Sequence, residues 1–393
     1  MAKATVTRQT TDKDATPTPS ANGGANTSPA SADPVEQIRA LLTPDGALTE
    51  EGERVVDVDD ATLRDLYRQM VVCRRLDQEG LNLQRQGELG LWGPFTGHEA
   101  AQVGAVRALD DADWIFPFYR DFAMAVCRGI DPGAILTIFR GLTHGAWNPH
   151  TYHFAPFIIP VGTQIPHAVG FALGCKLDHE PIATLVGFGE GATSTGDWHE
   201  AMNFAGVFQA PVIFFCENNQ WAISVPIREQ VAGRIADRAA GYGFPGLRVD
   251  GGDVVAVYAV VRAGAARARA GGGPTLIEAL TYRFGPHTTS DDPTRYRTAA
   301  DEDAWRANDP ITRCAARLRA RGAYDDAFAS EVAAEGEQRA AQMRQTLLSA
   351  TPPRPESVFD LVFANPPAAL LREKAEFAAT LEPMDDTHAT EGE

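Results

Sequence analysis

The chain has 393 residues, of which 35 are Lys or Arg and 52 are Asp or Glu, for a formal charge of −17. That acidic excess argues against a nucleic-acid or anionic-membrane binder, either of which needs a basic footprint. A hydrophobic share of 44% with 22% charged residues suits one large or two to three ordinary globular domains, and no apolar run approaches the roughly 18 residues that a membrane-spanning helix needs.

Residues 1–33 consist mainly of Ala, Thr, Ser, Pro, Asn and Gly, with Val6 the one large aliphatic side chain. They bury too little surface to offset the entropy of ordering and are expected to form a disordered tail. The start lacks the apolar core of a secretory signal, and Asp12 and Asp14 suit an organelle transit peptide poorly, so the expected location is the cytoplasm. Five scattered cysteines without a CxxC pair fit a reducing compartment.

From Asp59 onward, Leu63, Leu66, Tyr67, Met70 and Val71 recur every three or four residues, which predicts a helix capped by Asp59 or Asp60 and packed on a core. A second helical stretch follows His98 and Glu99. Residues 141–160 are polar, aromatic and rich in Gly and Pro, the composition of a long functional loop. The middle then alternates: a strand at 182–186, a helix at about 197–208, a strand at 212–216. A helix carrying Val254, Val257, Tyr258 and Val261 on one face stops at Gly271-Gly272-Gly273 and feeds a strand at 275–280. These elements predict an α/β fold, a mostly parallel sheet with helices on both faces. Beyond Asp301 the chain is helical, with Ile311, Cys314 and Leu318 as its inward stripe.

The main chemical signal is the loop Gly187-Phe188-Gly189-Glu190-Gly191-Ala192, which leaves a buried strand and opens a helix, where backbone N–H groups can cradle a phosphate. As GxGxxA it fits a dinucleotide fingerprint, with Glu217 posing as the ribose acid. Glu190 argues against that reading, because its carboxylate would meet a diphosphate with like charge. A Mg²⁺ ion between them removes the conflict, and Asn218-Asn219, at the end of the following strand, supplies a second oxygen ligand at the same sheet edge. The bland alternative is that Glu190 caps the helix and the Asn pair makes a turn.

Residues 189–205 and 216–224 resemble the thiamine-diphosphate motif of the alpha subunits of 2-oxo acid dehydrogenases. The likeness continues through residues 84–92, 97–102, 118–121, 163–164 and 282–297, and so spans roughly residues 40 to 360. It implies a thiamine-diphosphate-binding fold with helical additions at both ends, over residues 34–350, followed by an extension at 351–393. It also implies that Glu190, the Asn219 amide oxygen and the Trp221 carbonyl ligate Mg²⁺. Gly191 and Ala192 would then offer backbone contacts to the diphosphate, Tyr119, Arg120 and His287 would reach its oxygens, and His287 would take part in acyl transfer. Pro160, Thr163 and Gln164 match part of a potassium site of branched-chain relatives, although Ile158 stands where they carry Ser. The segment 147–157 departs from the usual pattern and leaves His150 and His153 without a role.

The acid that activates the cofactor is implied to come from a separate beta subunit in an α2β2 assembly, and the acyl group to pass to a lipoyl-bearing acyltransferase component. The expected reaction is oxidative decarboxylation of a branched-chain 2-oxo acid. Pyruvate is the runner-up substrate, because Glu217 before the Asn pair is pyruvate-like while Glu190 is branched-chain-like. A Rossmann nicotinamide dehydrogenase and a non-catalytic partner subunit are the alternatives from other classes.

Overall fold

Five strands form one parallel sheet in the order Trp114–Phe116, Thr184–Gly189, Val212–Asn218, Thr275–Leu280, Gly246–Asp250. The computed structural model describes residues 40–55, 58–360 and 362–381; the tail expected at 1–33 lies outside the described residues. Along Val212–Asn218 the side chains alternate between two cores. Ile213 and Phe215 join one, with Leu185, Ile277 and Val257, while Val212, Phe214 and Cys216 join the other, with Val186, Phe188, Trp198 and Met202. Both faces are therefore covered, which is why these strands are near-continuous apolar runs and not half-polar ones. Helices Asp60–Arg85, Glu99–Arg107, Val254–Arg269, Pro310–Ala320 and Asp326–Ser349 supply the first core. Gln164–Leu177 and Gly196–Phe208 supply the second.

Asp59 caps the Asp60–Arg85 helix, its carboxylate accepting from the Thr62 amide at 2.7 Å. Cys314 and Leu318 are buried as expected, and Ile311 packs at the edge of the same core. The strand expected at 182–186 runs instead over Thr184–Gly189, and the next continues to Asn218. Their parallel register pairs Gly189 with Glu217, so both chains leave the sheet at one edge. Two strands of this sheet were not legible: Trp114–Phe116 is three residues long, and Gly246–Asp250 has charged and exposed Arg248 at its centre. The glycine loop does not open a helix directly. It enters a 3₁₀ turn, Glu190–Ser194, because Thr195 is extended (φ −86°, ψ 151°) and itself caps the helix Gly196–Phe208. Within 141–160 the one helical turn is Pro149–Tyr152. No described helix is long and apolar enough to cross a membrane.

Asp253 ties the first described segment to the core. One carboxylate oxygen caps the helix Val254–Arg269 by accepting from the Val255 and Ala256 amides at 3.1 Å, and the other accepts from Leu41 (2.8 Å) and Leu42 (2.6 Å). Losing a cap costs about 1 kcal/mol, and each buried donor left without an acceptor adds about 1–3 kcal/mol. Asp253→Ala is therefore expected to lower unfolding stability by at least ~2 kcal/mol in urea titrations followed by circular dichroism, with Asp253→Asn, which keeps one acceptor, losing less. An alanine variant as stable as the parent would contradict this anchoring role.

Candidate active site

At the carboxyl ends of strands Thr184–Gly189 and Val212–Asn218 lies a cavity of about 240 Å³. The sheet edge delivers Gly189, Glu190, Gly191 and Ala192 on one side and Asn219, Trp221 and Ile223 on the other; Phe118, Tyr119, Ile158, Gln164, Gln230 and His287 are among the other lining residues. Eight of the residues singled out from sequence thus share one cavity: Tyr119, Gln164, Glu190, Gly191, Ala192, Asn219, Trp221 and His287. Arg120, Pro160 and Thr163 do not line it.

Glu190 is a carboxylate taken almost wholly out of water, with 1% of its surface exposed. Burial pushes its pKa above the ordinary range, against hydrogen bonds from backbone amides and the positive charge of Arg283. One oxygen accepts from the Asn219 amide at 3.1 Å, and the Asn219 side-chain oxygen accepts from the Trp221 amide at 3.2 Å. The Trp221 carbonyl accepts from Arg283 Nη1 at 3.2 Å, and the Ile223 carbonyl from Nη2 at 2.8 Å. The loop between is strained, with Gln220 at φ 73° and Ile223 at φ 59°. A β-branched residue in the left-handed region is an outlier that persists only where its surroundings hold it, and Arg283 is what holds this one. A carboxylate, an amide side chain and main-chain carbonyls belong to residues lining this one cavity, oxygen donors of the kind that suit a hard cation such as Mg²⁺. A cation at that point would also offset the buried charge of Glu190.

His287 closes the opposite wall. Its amide donates to Asp291 at 2.8 Å, and Tyr296 donates to the same Asp291 oxygen at 2.5 Å. Arg120, itself buried, donates from Nη2 to the His287 carbonyl at 3.0 Å and faces Nδ1 of the ring at 3.2 Å. A guanidinium can only donate, so Nδ1 accepts and the imidazole proton sits on Nε2. Burial, with the charges of Arg120 and Arg283, pushes the ring pKa down to about 3. The result is a neutral imidazole with its remaining N–H available for proton transfer.

Gln164 donates to the Gly187 carbonyl at 2.8 Å and leaves its buried side-chain oxygen without a partner, while the Thr163 hydroxyl donates to the Pro160 carbonyl at 3.0 Å. Glu217 does not reach the cavity. It is fully buried, bonded to His98 Nδ1 at 2.5 Å and to Gln102 Nε2 at 3.1 Å, so the dinucleotide reading loses its ribose acid. His150 and His153 pack against the Trp114 ring and line no part of this cavity. Sequence reasoning missed Arg283, Ile223 and Gln230, whose amide donates to the Glu190 carbonyl at 3.2 Å. Arg283 lies inside a block noticed for its resemblance, but nothing in its spacing says which carbonyls it holds.

The geometry sets a sign for pH. The folded-state pKa of His287 is below that of the unfolded chain, so its contribution to stability is present above about pH 6.5 and is lost as pH falls toward 3. Imidazole ¹⁵N spectra, assigned with His287→Asn, are expected to show the Nε2–H tautomer and no titration of this ring between pH 5 and 8. A resonance titrating near pH 6.5 would overturn the assignment.

The chain matches the family described as dehydrogenase E1 component over residues 67–352. It is 46% identical over 346 residues to the 3-methyl-2-oxobutanoate dehydrogenase subunit alpha of Mycobacterium tuberculosis H37Rv, a match covering 88% of this chain and 94% of that protein. To the pyruvate dehydrogenase E1 component subunit alpha of Bacillus cereus it is 39% identical over 338 residues, 83% of this chain and 90% of the relative. To the 2-oxoisovalerate dehydrogenase subunit alpha of Bacillus subtilis it is 37% identical over 327 residues, 79% and 98% respectively. With more than two thirds of its length matched both by the family and by these relatives, the chain belongs to the dehydrogenase E1 component family.

Proposed function

We propose that the chain is the alpha subunit of the decarboxylating component of a branched-chain 2-oxo acid (2-oxoisovalerate) dehydrogenase, working in the cytoplasm with a beta subunit as α2β2 and passing its acyl group to the lipoyl group of an acyltransferase component. The observation that carries the reading is the single cavity that has Glu190, Asn219 and the Trp221 loop on one wall and a neutral His287 on the other. The 46% identity to a 3-methyl-2-oxobutanoate dehydrogenase alpha subunit, against 39% to a pyruvate dehydrogenase alpha subunit, favours the branched-chain substrate. Within this reading residues 34–350 are the catalytic domain and 351–393 an extension.

Thiamine diphosphate, the cofactor the family implies, supplies when bound the nucleophilic carbon and the electron sink for decarboxylation. This chain's residues bind and orient it. Glu190, the Asn219 amide oxygen and the Trp221 carbonyl would hold Mg²⁺, and the backbone of Gly191 and Ala192 would contact the diphosphate. Tyr119 and His287 offer donors from the facing wall. Arg120, which bonds to His287 and does not line the cavity, adds positive charge behind it and fixes the imidazole. The His287 Nε2–H could hold or deliver a proton at the cavity wall. The unpartnered Gln164 oxygen, with Pro160 and Thr163 in the same turn, is the one feature that supports a potassium ion. By family likeness the acid that activates the cofactor would come from the beta subunit, and Glu190 being the single carboxylate among the described residues of the cavity supports this.

In the assembled enzyme, Glu190→Ala is expected to weaken binding of Mg²⁺ and thiamine diphosphate by more than the roughly 10–100-fold typical of outer-shell substitutions, with Asn219→Ala having a smaller effect. Calorimetric titration showing unchanged affinity in both variants would remove the metal-site assignment.

The substrate is decided by kcat/KM for pyruvate, 2-oxobutanoate and 3-methyl-2-oxobutanoate with the reconstituted α2β2 enzyme. A methylene in an apolar pocket discriminates by about 10- to 200-fold, so the branched substrate is expected to win measurably and incompletely. A clear preference for pyruvate would reassign the chain to a pyruvate dehydrogenase.

A further inference from the structure

A second cavity, of about 470 Å³, opens at the carboxyl ends of strands Gly246–Asp250 and Thr275–Leu280, and it shares no lining residue with the Glu190 cavity. Its size falls in the roughly 300–1,000 Å³ range of small-molecule sites.

The charges and rings of the lining narrow its chemistry. Arg234 is exposed at the rim and makes no ion pair or hydrogen bond among the described residues. Arg248 has Glu278 as its nearest acid, at 3.7 Å, but that carboxylate already accepts from Asn218 at 2.7 Å and from the Ala236 amide at 3.1 Å. Of the acids in the lining, Asp250 is engaged by Arg313 at 2.7 Å, which leaves Asp237 as the one facing charge. Across the cavity, the Tyr282 and Trp305 rings stack at 5.4 Å and 17°. Inorganic phosphate would leave the rings unused, and a neutral ring compound would leave the guanidiniums unanswered. A guanidinium fork suits phosphate, and an aromatic face suits a planar base.

We propose that this second cavity is a binding site for a nucleoside phosphate, with Arg234 and Arg248 on the phosphate and Trp305 against the base. The site is independent of the thiamine-diphosphate reading and does not depend on it. The test is calorimetric titration of the full-length protein with AMP, ADP and ATP, with inorganic phosphate, adenosine and thiamine diphosphate as comparators. At least one nucleotide is expected to bind one per chain, at least about tenfold more tightly than phosphate or adenosine. Arg234→Ala, an exposed change that leaves folding intact, should weaken it about tenfold, the loss of one charge-assisted hydrogen bond, and Trp305→Ala should weaken it as well. Glu190→Ala should leave nucleotide affinity unchanged. No nucleotide binding below millimolar concentrations, binding indifferent to both Arg234→Ala and Trp305→Ala, or displacement by thiamine diphosphate would each overturn the proposal.

Discussion

Glu190 is a carboxylate held out of water, and that constraint organises much of the surrounding structure. An isolated ionised group in such a place is costly unless hydrogen bonds or a cation compensate it. The parallel register that pairs Gly189 with Glu217 brings the Asn219 amide to 3.1 Å from the carboxylate. The chain then turns sharply enough that Gln220 and Ile223 take left-handed conformations, and Arg283 fixes the result by donating to the carbonyls of Trp221 and Ile223. The strain and the guanidinium are two halves of one device that fixes the Trp221–Ile223 turn beside a buried carboxylate.

The facing wall obeys a complementary rule. Burial, together with two nearby buried guanidiniums, Arg120 and Arg283, keeps the His287 ring neutral. Burial and the neighbouring charge of Arg120 bring Arg283 itself down to about 10. Arg120 is in turn fixed through its backbone: Gln102 donates to its carbonyl at 3.0 Å, donates to Glu217 at 3.1 Å, and accepts from the Ala123 amide at 3.1 Å. Glu217, which as a sequence feature resembles a ligand-binding acid, is thereby a buried strut beneath the site. Gly187 has the same origin, since a Cβ on it would lie 2.2 Å from an Asp121 carboxylate oxygen. Part of the glycine content of the loop therefore answers to packing and not to phosphate.

How much of this was legible in the sequence follows from what each feature depends on. The central strands and the Asp60–Arg85 and Val254–Arg269 helices were readable because their periodicity is dictated by burial. Trp114–Phe116 and Gly246–Asp250 were not, because they owe their pairing to a sheet built elsewhere in the chain. The gathering of Glu190, Asn219, Trp221 and His287 was anticipated from motif likeness, and the loop-to-strand placement of the first two from pattern as well. The role of Arg283 was not, since it rests on a backbone conformation at Ile223 that no residue type announces. Arg120 shows the opposite case: a guanidinium suited to phosphate, whose bonds in the structure go to His287 and Pro94.

The sheet topology explains why two cavities of different chemistry sit side by side. The connection from Thr184–Gly189 to Val212–Asn218 runs through Gly196–Phe208 on one face, and that from Gly246–Asp250 to Thr275–Leu280 through Val254–Arg269 on the other. Chains leaving the carboxyl edge thus diverge between Val212–Asn218 and Thr275–Leu280, the kind of place where open α/β sheets bind ligands. The segment after Leu280 is pinned there by the Thr281 amide, which donates to the Asn218 carbonyl at 2.9 Å. Beyond it, successive side chains go to opposite sides. Arg283 turns to the Trp221 and Ile223 carbonyls of the first cavity, whereas Tyr282 and Phe284 line the second. One short stretch of backbone therefore sets a wall of each, and a change in its register would reposition the Trp221–Ile223 turn and the aromatic wall together.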